Sequence, residues 1–306
     1  MNKLSLVKIR DLLLERPMTP GLPSHVSAAS GLVTEGDTAY VAPDDSLHLG
    51  VFCGPGPGHG LRLFDRPDLP ADEKERKAVK PDLESLARFQ APNGPLLVSF
   101  GSGSRPNRRE GVAVRLDQQG RPTGEVQTID LSPLYLHLEE TFPRLNIEGI
   151  APCGERFRLV QRGNGEDRQN AVIDLDLQAT LTAIVEGRPL GPELLVSQRR
   201  VDLGQTLADV PWTFTDVTSF DHGRTLFAAA AEATASTYED GQILGSLVGV
   251  LEADGSLGPT WQLDLPVKVE GLDARETATG WNLRMVTDPD DPERAAEMFS
   301  ADLGPV

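Results

Sequence analysis

The sequence is poor in aromatic residues, in cysteine and in positive charge. Aromatic residues make up 5% of the 306 positions, and 29 Lys and Arg face 46 Asp and Glu, which gives a net charge of −17. So acidic a surface repels phosphate backbones and anionic lipid headgroups, so we expect neither a nucleic acid nor a membrane as partner. Cys53 and Cys153 are the two cysteines. Two in so long a chain do not make a disulfide framework, and we expect both to be free thiols.

Several signatures of common functional classes are also missing from the sequence. No apolar run approaches the ~20 residues of a membrane span, and charged residues interrupt the first 16 positions, unlike a signal peptide. A cytoplasmic location is therefore the default expectation. The five histidines show no HExxH spacing, and we find neither a GxSxG elbow nor a Walker or Rossmann glycine pattern. Metalloprotease, serine hydrolase and nucleotide-binding folds of those types are disfavoured.

The chain is rich in turn residues, with 30 Gly and 24 Pro, and these separate many short apolar runs typical of strands. The runs recur in cycles of four, except that the last cycle is one strand short. Residues 4–14 resemble a fourth strand and can close that cycle, which hides two exposed sheet edges. The sequence therefore predicts an all-β protein: a five-bladed β-propeller over residues 1–306, with four-stranded blades and an N-terminal strand closing the last. The predicted blades cover residues 27–66, 82–132, 146–203, 213–266, and 268–303 together with 4–14.

One short motif begins each cycle and reads polar, apolar, a key residue, small, apolar. Glu occupies the key position in three copies, and a hydroxyl residue occupies it in the other two. Because the first strand of each blade lines the central channel, we expect the key residues to form a ring around the axis. The ring is predicted to comprise Ser30, Glu84, Glu148, Thr218 and Glu270.

Three carboxylates so close together must either take up protons or be neutralised. A set of hard oxygen ligands without His or Cys favours Ca²⁺, whereas Mg²⁺ prefers a tight octahedron with few protein ligands. The sequence therefore predicts an axial calcium site formed by the five ring residues. Two alternatives stay open: ion pairs between these glutamates and basic neighbours such as Lys268 and Arg162, or a water-filled channel.

A second polar ring is expected where the second strands end, on the same face of the propeller. It includes Asp44, Arg162 and Glu232, together with Ser102 and Asp288. Mixed polar rims of this kind form ligand sites in propellers, so we expect a small-molecule ligand in the axial funnel. The sequence makes no prediction of oligomeric state.

The motif order resembles that of the calcium-activated nucleotidases, or soluble apyrases, which are five-bladed propellers with calcium on the axis. Residues 28–32 and Asp44-Asp45 are similar to their Ser-Glu-Leu strand and Asp-Asp-Arg-Thr-Gly turn. Asn146-Ile147-Glu148 with Gln161-Arg162 resembles their His-Glu-Ser strand and Arg-Arg turn. Residues 217–220 and 231–233 are similar to their Phe-Ser-Ser-Phe strand and Lys-Ser-Glu-Glu turn. Residues 268–272 are similar to their Lys-Tyr-Glu-Gly-Ile stretch. The chain also resembles bacterial phytase-like propellers with recurring Glu-Gly-Leu/Ile first strands.

The resemblance implies calcium-dependent hydrolysis of a phosphate ester or anhydride. In that reaction the ion and Arg162 would bind phosphoryl oxygens, and Asp44 or Glu232 would position the attacking water. The chain departs from the nucleotidases at groups that contact nucleotide, since Ser46 replaces an Arg and residues 101–104 replace a Gly-Lys-Glu-Trp stretch. Two alternatives therefore stay open. One is a non-catalytic propeller with structural calcium that binds a ligand or protein, and the other is a calcium-dependent lactonase or esterase.

Overall fold

Five sheets follow one another along the chain, and in each the consecutive strands pair antiparallel with their neighbours in sequence. Two N-terminal strands are added at the outer edges of the last two sheets. The computed structural model describes residues 2–163, 169–204, 206–233 and 242–306. The first strand of every sheet contacts the first strands of the neighbouring sheets, so the five sheets surround a common axis. This arrangement confirms the predicted five-bladed β-propeller with four-stranded blades.

The strands before and within the first two blades are short and separated by tight turns. Two N-terminal strands are β1 (Asn2–Leu4) and β2 (Val7–Asp11). The first blade contains β3 (Ala29–Glu35), β4 (Thr38–Pro43), β5 (His48–Cys53) and β6 (His59–Arg62). The second blade contains β7 (Ala87–Ala91), β8 (Gly94–Phe100), β9 (Glu110–Leu116) and β10 (Pro122–Asp130).

The last three blades repeat the same order from the axis outwards. The third contains β11 (Ile147–Cys153), β12 (Arg156–Gln161), β13 (Ala171–Asp176) and β14 (Leu195–Arg200). The fourth contains β15 (Thr213–Ser219), β16 (Thr225–Ala233), β17 (Gln242–Leu251) and β18 (Leu257–Leu263). The fifth contains β19 (Val269–Thr277), β20 (Gly280–Thr287) and β21 (Glu297–Leu303).

The N-terminal segment closes the ring, as predicted, because β2 pairs antiparallel with β21 and completes the fifth blade. The structure divides this segment where the sequence predicts a single strand. Strand β1 instead pairs parallel with β18 and adds a fifth strand to the fourth blade, with Leu4 opposite Leu263. Between the two strands, the Asp264 carboxylate accepts a hydrogen bond from Leu6 N at 2.9 Å, which fixes the crossing from one blade to the next.

Apolar side chains fill the space between neighbouring blades. Phe157 of the third blade stacks on Phe89 of the second at 4.2 Å between ring centroids, and Phe100 stacks on it at 5.4 Å. All three rings are buried. Such offset stacking adds to the free energy gained from removing apolar surface from water. The blade interfaces therefore hold the inner strands at fixed distances around the axis.

In the part of the chain that the structure describes, three helices lie in the connections between strands: α1 (Glu73–Val79), α2 (Ser132–Glu139) and α3 (Leu177–Val185). Three single 3₁₀ turns accompany them, at Pro106–Arg108, Pro192–Leu194 and Asp221–Gly223. The mixed acidic and basic sequence of residues 70–80 predicts a solvated helix or loop. It does form α1, capped by Asp72, but Arg76 and Lys80 are only 4% and 8% exposed because they face the interior of the propeller.

Candidate functional site

Each blade has a one-residue shift of pairing register at the same place beside the axis. The residue skipped by the pairing register is Ser30 in β3, Glu148 in β11, Thr215 in β15 and Glu270 in β19. In the second blade, the bridge between Leu83 and Gly101 and the pairing of Ala87 with Val98 bracket the same shift around Glu84. Bulges change the direction of side chains and are frequent next to active sites. The five residues at these register shifts therefore form the ring around the axis.

The ring position of the fourth blade belongs to Thr215, and the prediction of Thr218 is wrong. Thr218 pairs regularly with Leu226, three residues further along the strand. The blade-four motif is Phe214-Thr215-Asp216-Val217, in which Asp216 stands where the other blades have Gly or Ser. The sequence pattern requires a small residue at this position, so it does not recognise the motif with Asp216. The buried Thr215 hydroxyl donates to Val269 O at 2.6 Å.

The three ring glutamates face one pocket of about 190 Å³, whereas Ser30 and Thr215 are not part of its lining. Ser30 is 1% exposed, and its Oγ has no hydrogen-bond partner among the described residues. Within the described part of the chain, eleven acidic and six basic side chains line the pocket. The acidic ones are Asp44, Asp45, Glu73, Asp82, Glu84, Glu148, Glu232, Glu270, Asp288, Asp290 and Asp291; the basic ones are Arg76, Lys77, Lys80, Arg108, Arg162 and Lys268.

Arg162 gathers the carboxylates of the last three blades. Its Nη2 lies 2.6 Å from Glu232, and its Nη1 lies 3.4 Å from Glu148 and 3.6 Å from Glu270. Burial lowers the pKa of Arg162, but the facing carboxylates outweigh this effect and hold it above its ordinary value. The structure thus contains the ion pairing that the sequence left open as an alternative to a metal.

Lys268 provides a second internal cation beside the axis. Its Nζ lies 3.0 Å from Glu270, 2.8 Å from Asp290 and 3.7 Å from Asp288. Burial lowers the pKa of Lys268, yet these three carboxylates raise it well above the ordinary value. Glu270 is therefore shared between two basic side chains.

Glu148 is a ring glutamate whose carboxyl group holds a proton near neutral pH. Burial raises its pKa to about 8, although the Arg162 guanidinium lowers it. Asn146 Nδ2 also donates a hydrogen bond to its Oε1. A carboxyl group protonated at pH 7 is able to donate a proton during a reaction.

A second cluster, hereafter the Asp44 cluster, lies on the side of the first two blades and consists of Asp44, Asp82 and Glu84. Each offers one carboxylate oxygen, and the three oxygens lie within 4.8 Å of one another. Lys80 Nζ contacts the Asp44 carboxylate and lies 2.9 Å from Asp82 Oδ1. The Asp44 Oδ1 atom is buried without a hydrogen-bond partner in the described part of the chain.

The carboxylate of Glu84 differs from its neighbours, since none of the described residues forms an ion pair or side-chain hydrogen bond with it. Burial and then the nearby Asp82, Asp44 and Glu148 raise its pKa well above the ordinary value, which Lys80 only partly offsets. The Asp44 cluster therefore holds more acid than its basic neighbours neutralise.

Asp82 is held in an unusual backbone conformation, with φ at +59°, in the left-handed region. Its Oδ2 accepts hydrogen bonds from Ser102 Oγ at 2.5 Å and Arg108 Nη1 at 2.7 Å. Non-glycine residues adopt this region at a cost of about 1 kcal/mol or more, and such strain concentrates at functional sites. The contacts with Ser102, Arg108 and Lys80 keep the carboxylate turned towards Asp44.

The predicted catalytic residues Asp44, Arg162 and Glu232 all line the pocket, and two of them are in direct contact. Their catalytic roles remain predictions. Sequence reasoning missed Lys80 and Asp82 as members of the site. Asp82 stands two positions before Glu84 in the repeated motif, so its place beside a ring residue was a usable signal. Lys80 has no such local signal, because its partner Asp44 comes from the first blade, 36 positions earlier in the chain.

Comparison with known families places the chain in one of them. Residues 25–303 match the model of a family of unknown function, DUF6929. The chain belongs to this family. The search of curated proteins found no match. Within the described residues of this DUF6929 protein, no helix is both long and apolar enough to cross a membrane.

Solved structures share the propeller architecture with this DUF6929 protein at low sequence identity. An α-L-arabinofuranosidase from Podospora anserina is 12% identical, with a TM-score of 0.54 over 99% of this chain and 98% of its own. An α-L-arabinanase from Cellvibrio cellulosa is 12% identical, with a TM-score of 0.44 over 90% and 92%. Virginiamycin B lyase from Staphylococcus aureus is 8% identical, with a TM-score of 0.43 over 98% and 99%. The first of these similarities supports the fold alone.

Proposed function

We propose that the axial pocket binds a divalent metal cation, Ca²⁺, at the Asp44 cluster. The observation that carries this proposal is the free donor capacity of the cluster. Three carboxylate oxygens lie within 4.8 Å, the Glu84 carboxylate has no ion-pair partner among the described residues, and Asp44 Oδ1 is buried without a hydrogen bond. Carboxylates that are buried or partly buried in such excess favour a cation.

The donor chemistry fits calcium better than a transition metal. Every candidate ligand is a carboxylate oxygen, and the described lining residues include neither His nor Cys. Calcium takes six to eight oxygen ligands in flexible geometry, so three side chains would be supplemented by backbone oxygens or water. Glu148 and Glu270 are engaged by Arg162 and Lys268, so the proposed site uses only Glu84 of the predicted axial set.

The reaction we propose is hydrolysis of a phosphate ester or anhydride in this pocket, and its support is the resemblance to calcium-activated nucleotidases. A bound Ca²⁺ would neutralise phosphoryl charge and act as a Lewis acid. Among the chain's own groups, Glu148 is protonated at neutral pH and is placed to give a proton to a leaving oxygen. Arg162 would contact the small anionic substrate, and Asp44 or Glu232 would orient water.

Calcium binding is tested by calorimetric titration of the EDTA-treated protein with CaCl₂ and, separately, MgCl₂. We expect heat of binding and a raised melting temperature with CaCl₂, since a ligand that binds the folded state stabilises it. Glu84→Gln and Asp44→Asn should remove both effects. Glu155→Gln, at an exposed position, is the matched control. The absence of heat and of any melting shift in the unmodified protein would sink the proposal.

Activity is tested separately with nucleotides, p-nitrophenyl phosphate and simple lactones in the presence of CaCl₂. We expect phosphate release that Glu148→Gln reduces by about 10²-fold or more, as for loss of a general acid. Turnover of lactones only would support the esterase alternative. Calcium binding without any turnover would support the non-catalytic alternative.

A further inference from the structure

We propose that Lys80 is a tethered competitor for the cation site, so that an incoming cation binds by displacing the Lys80 ammonium group. This inference rests on the proposed function and adds a residue that sets the affinity. Lys80 Nζ contacts two of the three members of the Asp44 cluster, Asp44 and Asp82. An external cation at this cluster would need the oxygens that Lys80 now occupies.

The contacts of Lys80 are compatible with displacement because its backbone and its side chain are held independently. Lys80 N donates to Arg76 O at 2.8 Å, at the end of α1, and Lys80 O accepts from Asn107 Nδ2 at 3.1 Å. The side chain lines the pocket, with 9% of its surface exposed. A lysine stem has four rotatable bonds, so the ammonium group is able to leave the cluster while the backbone stays in place.

The two aspartates differ in what they retain when Lys80 leaves. Asp82 keeps Arg108 and Ser102 as partners, at 2.7 and 2.5 Å. Within the described residues, the Asp44 carboxylate has an ion pair only with Lys80, and its Oδ1 has no hydrogen bond. Displacement therefore leaves Asp44 needing a cation, which a divalent ion shared with Glu84 would supply.

The competition predicts a weakened apparent affinity in the unmodified protein. When only a fraction of molecules has a free site, the apparent dissociation constant rises by the inverse of that fraction. Lys80→Met removes the competitor and keeps the length of the apolar stem. Lys80→Gln removes the charge and keeps polar atoms, which guards against misfolding of the methionine variant.

The experiment titrates CaCl₂ into EDTA-treated unmodified protein, both Lys80 variants and Lys74→Met. Lys74 is an exposed residue of the same helix outside the pocket lining, so its variant controls for the loss of one positive charge. We expect both Lys80 variants to bind Ca²⁺ about tenfold more tightly or better, and Lys74→Met to bind within about twofold of the unmodified protein. The melting temperature of the Lys80 variants should also rise more on adding CaCl₂.

Each outcome separates this inference from the proposed function. Equal or weaker calcium affinity in both Lys80 variants would overturn the competitor role while leaving the calcium site intact. Tighter binding in Lys74→Met as well would also overturn it, since the effect would then be general charge. If neither the unmodified protein nor any variant binds Ca²⁺, the site itself fails, and the competitor role fails with it.

Discussion

The Asp216 carboxylate accepts a hydrogen bond from the backbone N–H of Leu272 at 2.6 Å and thereby joins the inner strands of the fourth and fifth blades. Its other oxygen accepts from Val217 N at 2.8 Å. Asp216 is fully buried, and burial raises its pKa well above the ordinary value although both hydrogen bonds lower it. A side chain thus connects two blades at a place where the other blades have Gly or Ser.

Asp216→Ala should destabilise the propeller by about 2–4 kcal/mol, because two buried backbone N–H groups would lose their acceptors. Urea unfolding followed by circular dichroism measures the change. Asp65 is exposed and forms no side-chain hydrogen bond or ion pair with the described residues, so Asp65→Ala should stay within about 0.5 kcal/mol of the unmodified protein. Equal midpoints for the two variants would show that the Asp216 contacts do not stabilise the fold.

Gly149→Ala should destabilise the fold by about 1–3 kcal/mol through steric crowding between inner strands. A Cβ atom at Gly149 would lie 2.6 Å from Val217 N and 3.0 Å from Asp216 C, and backbone cannot move aside as a flexible side chain can. At Gly56 a Cβ would meet nothing within 4 Å, so Gly56→Ala is the matched control. Comparable unfolding midpoints for both alanine variants would contradict the close approach of β11 and β15.

Arg162→Met should lower the free energy of unfolding by about 3–5 kcal/mol, because it leaves buried carboxylates facing one another without their shared cation. The measurement is urea unfolding in EDTA, which keeps added metal ions from replacing the guanidinium. Arg188→Met removes an ion pair whose side chains are 53% and 55% exposed, so it should change stability by less than about 1 kcal/mol. If Arg162→Met left the free energy of unfolding unchanged, the glutamates would not depend on this residue for neutralisation.

The stability of the protein should fall as pH rises between about 4.5 and 8 because of Glu148. Its pKa moves from the ordinary 4.5 to about 8 in the folded state, so in this window the folded protein binds more protons than the unfolded chain. Each fully coupled proton contributes at most about 1.4 kcal/mol per pH unit. Burial is the main cause, and Arg162, Glu270, Lys268 and Asp82 modify the shift.

Glu148→Gln keeps the shape of the neutral acid and cannot titrate. Its unfolding free energy, measured at several pH values across the same window, should decline less steeply than that of the unmodified protein. Glu155→Gln should leave the slope unchanged, since Glu155 is exposed. Parallel curves for all three proteins would show that Glu148 is ionised throughout.

Most of the fold is predictable from the sequence because strand patterning and the repeated first-strand motif are local signals. The missing last strand even predicts that residues near Val7 pair with the final strand. The motif misplaces the ring residue of the fourth blade, however, because Asp216 replaces a small residue. The incorrect alignment, residues 216–220, fits the motif equally well. Only the pairing register identifies Thr215 as the ring residue.

The site is less predictable than the fold because its charge balance depends on contacts between distant residues. The pattern identifies Glu84, Glu148 and Glu270 as converging acids, and all three line the pocket. Whether a basic side chain reaches them depends on how connections cross the propeller face. Lys80 lies in a segment that reads as solvent-exposed, yet its ammonium group meets an aspartate from the first blade.

The antiparallel pairing between β2 and β21 affects how the chain folds during synthesis. Residues 7–11 pair with residues 297–300, so this early strand cannot complete the fifth blade until β21 has been synthesised. Contacts of such long sequence separation slow folding, because the loop must close before the pairing stabilises it. Until then the edge of the fifth blade stays open to pairing with other chains, so we expect aggregation to be favoured while β21 is missing.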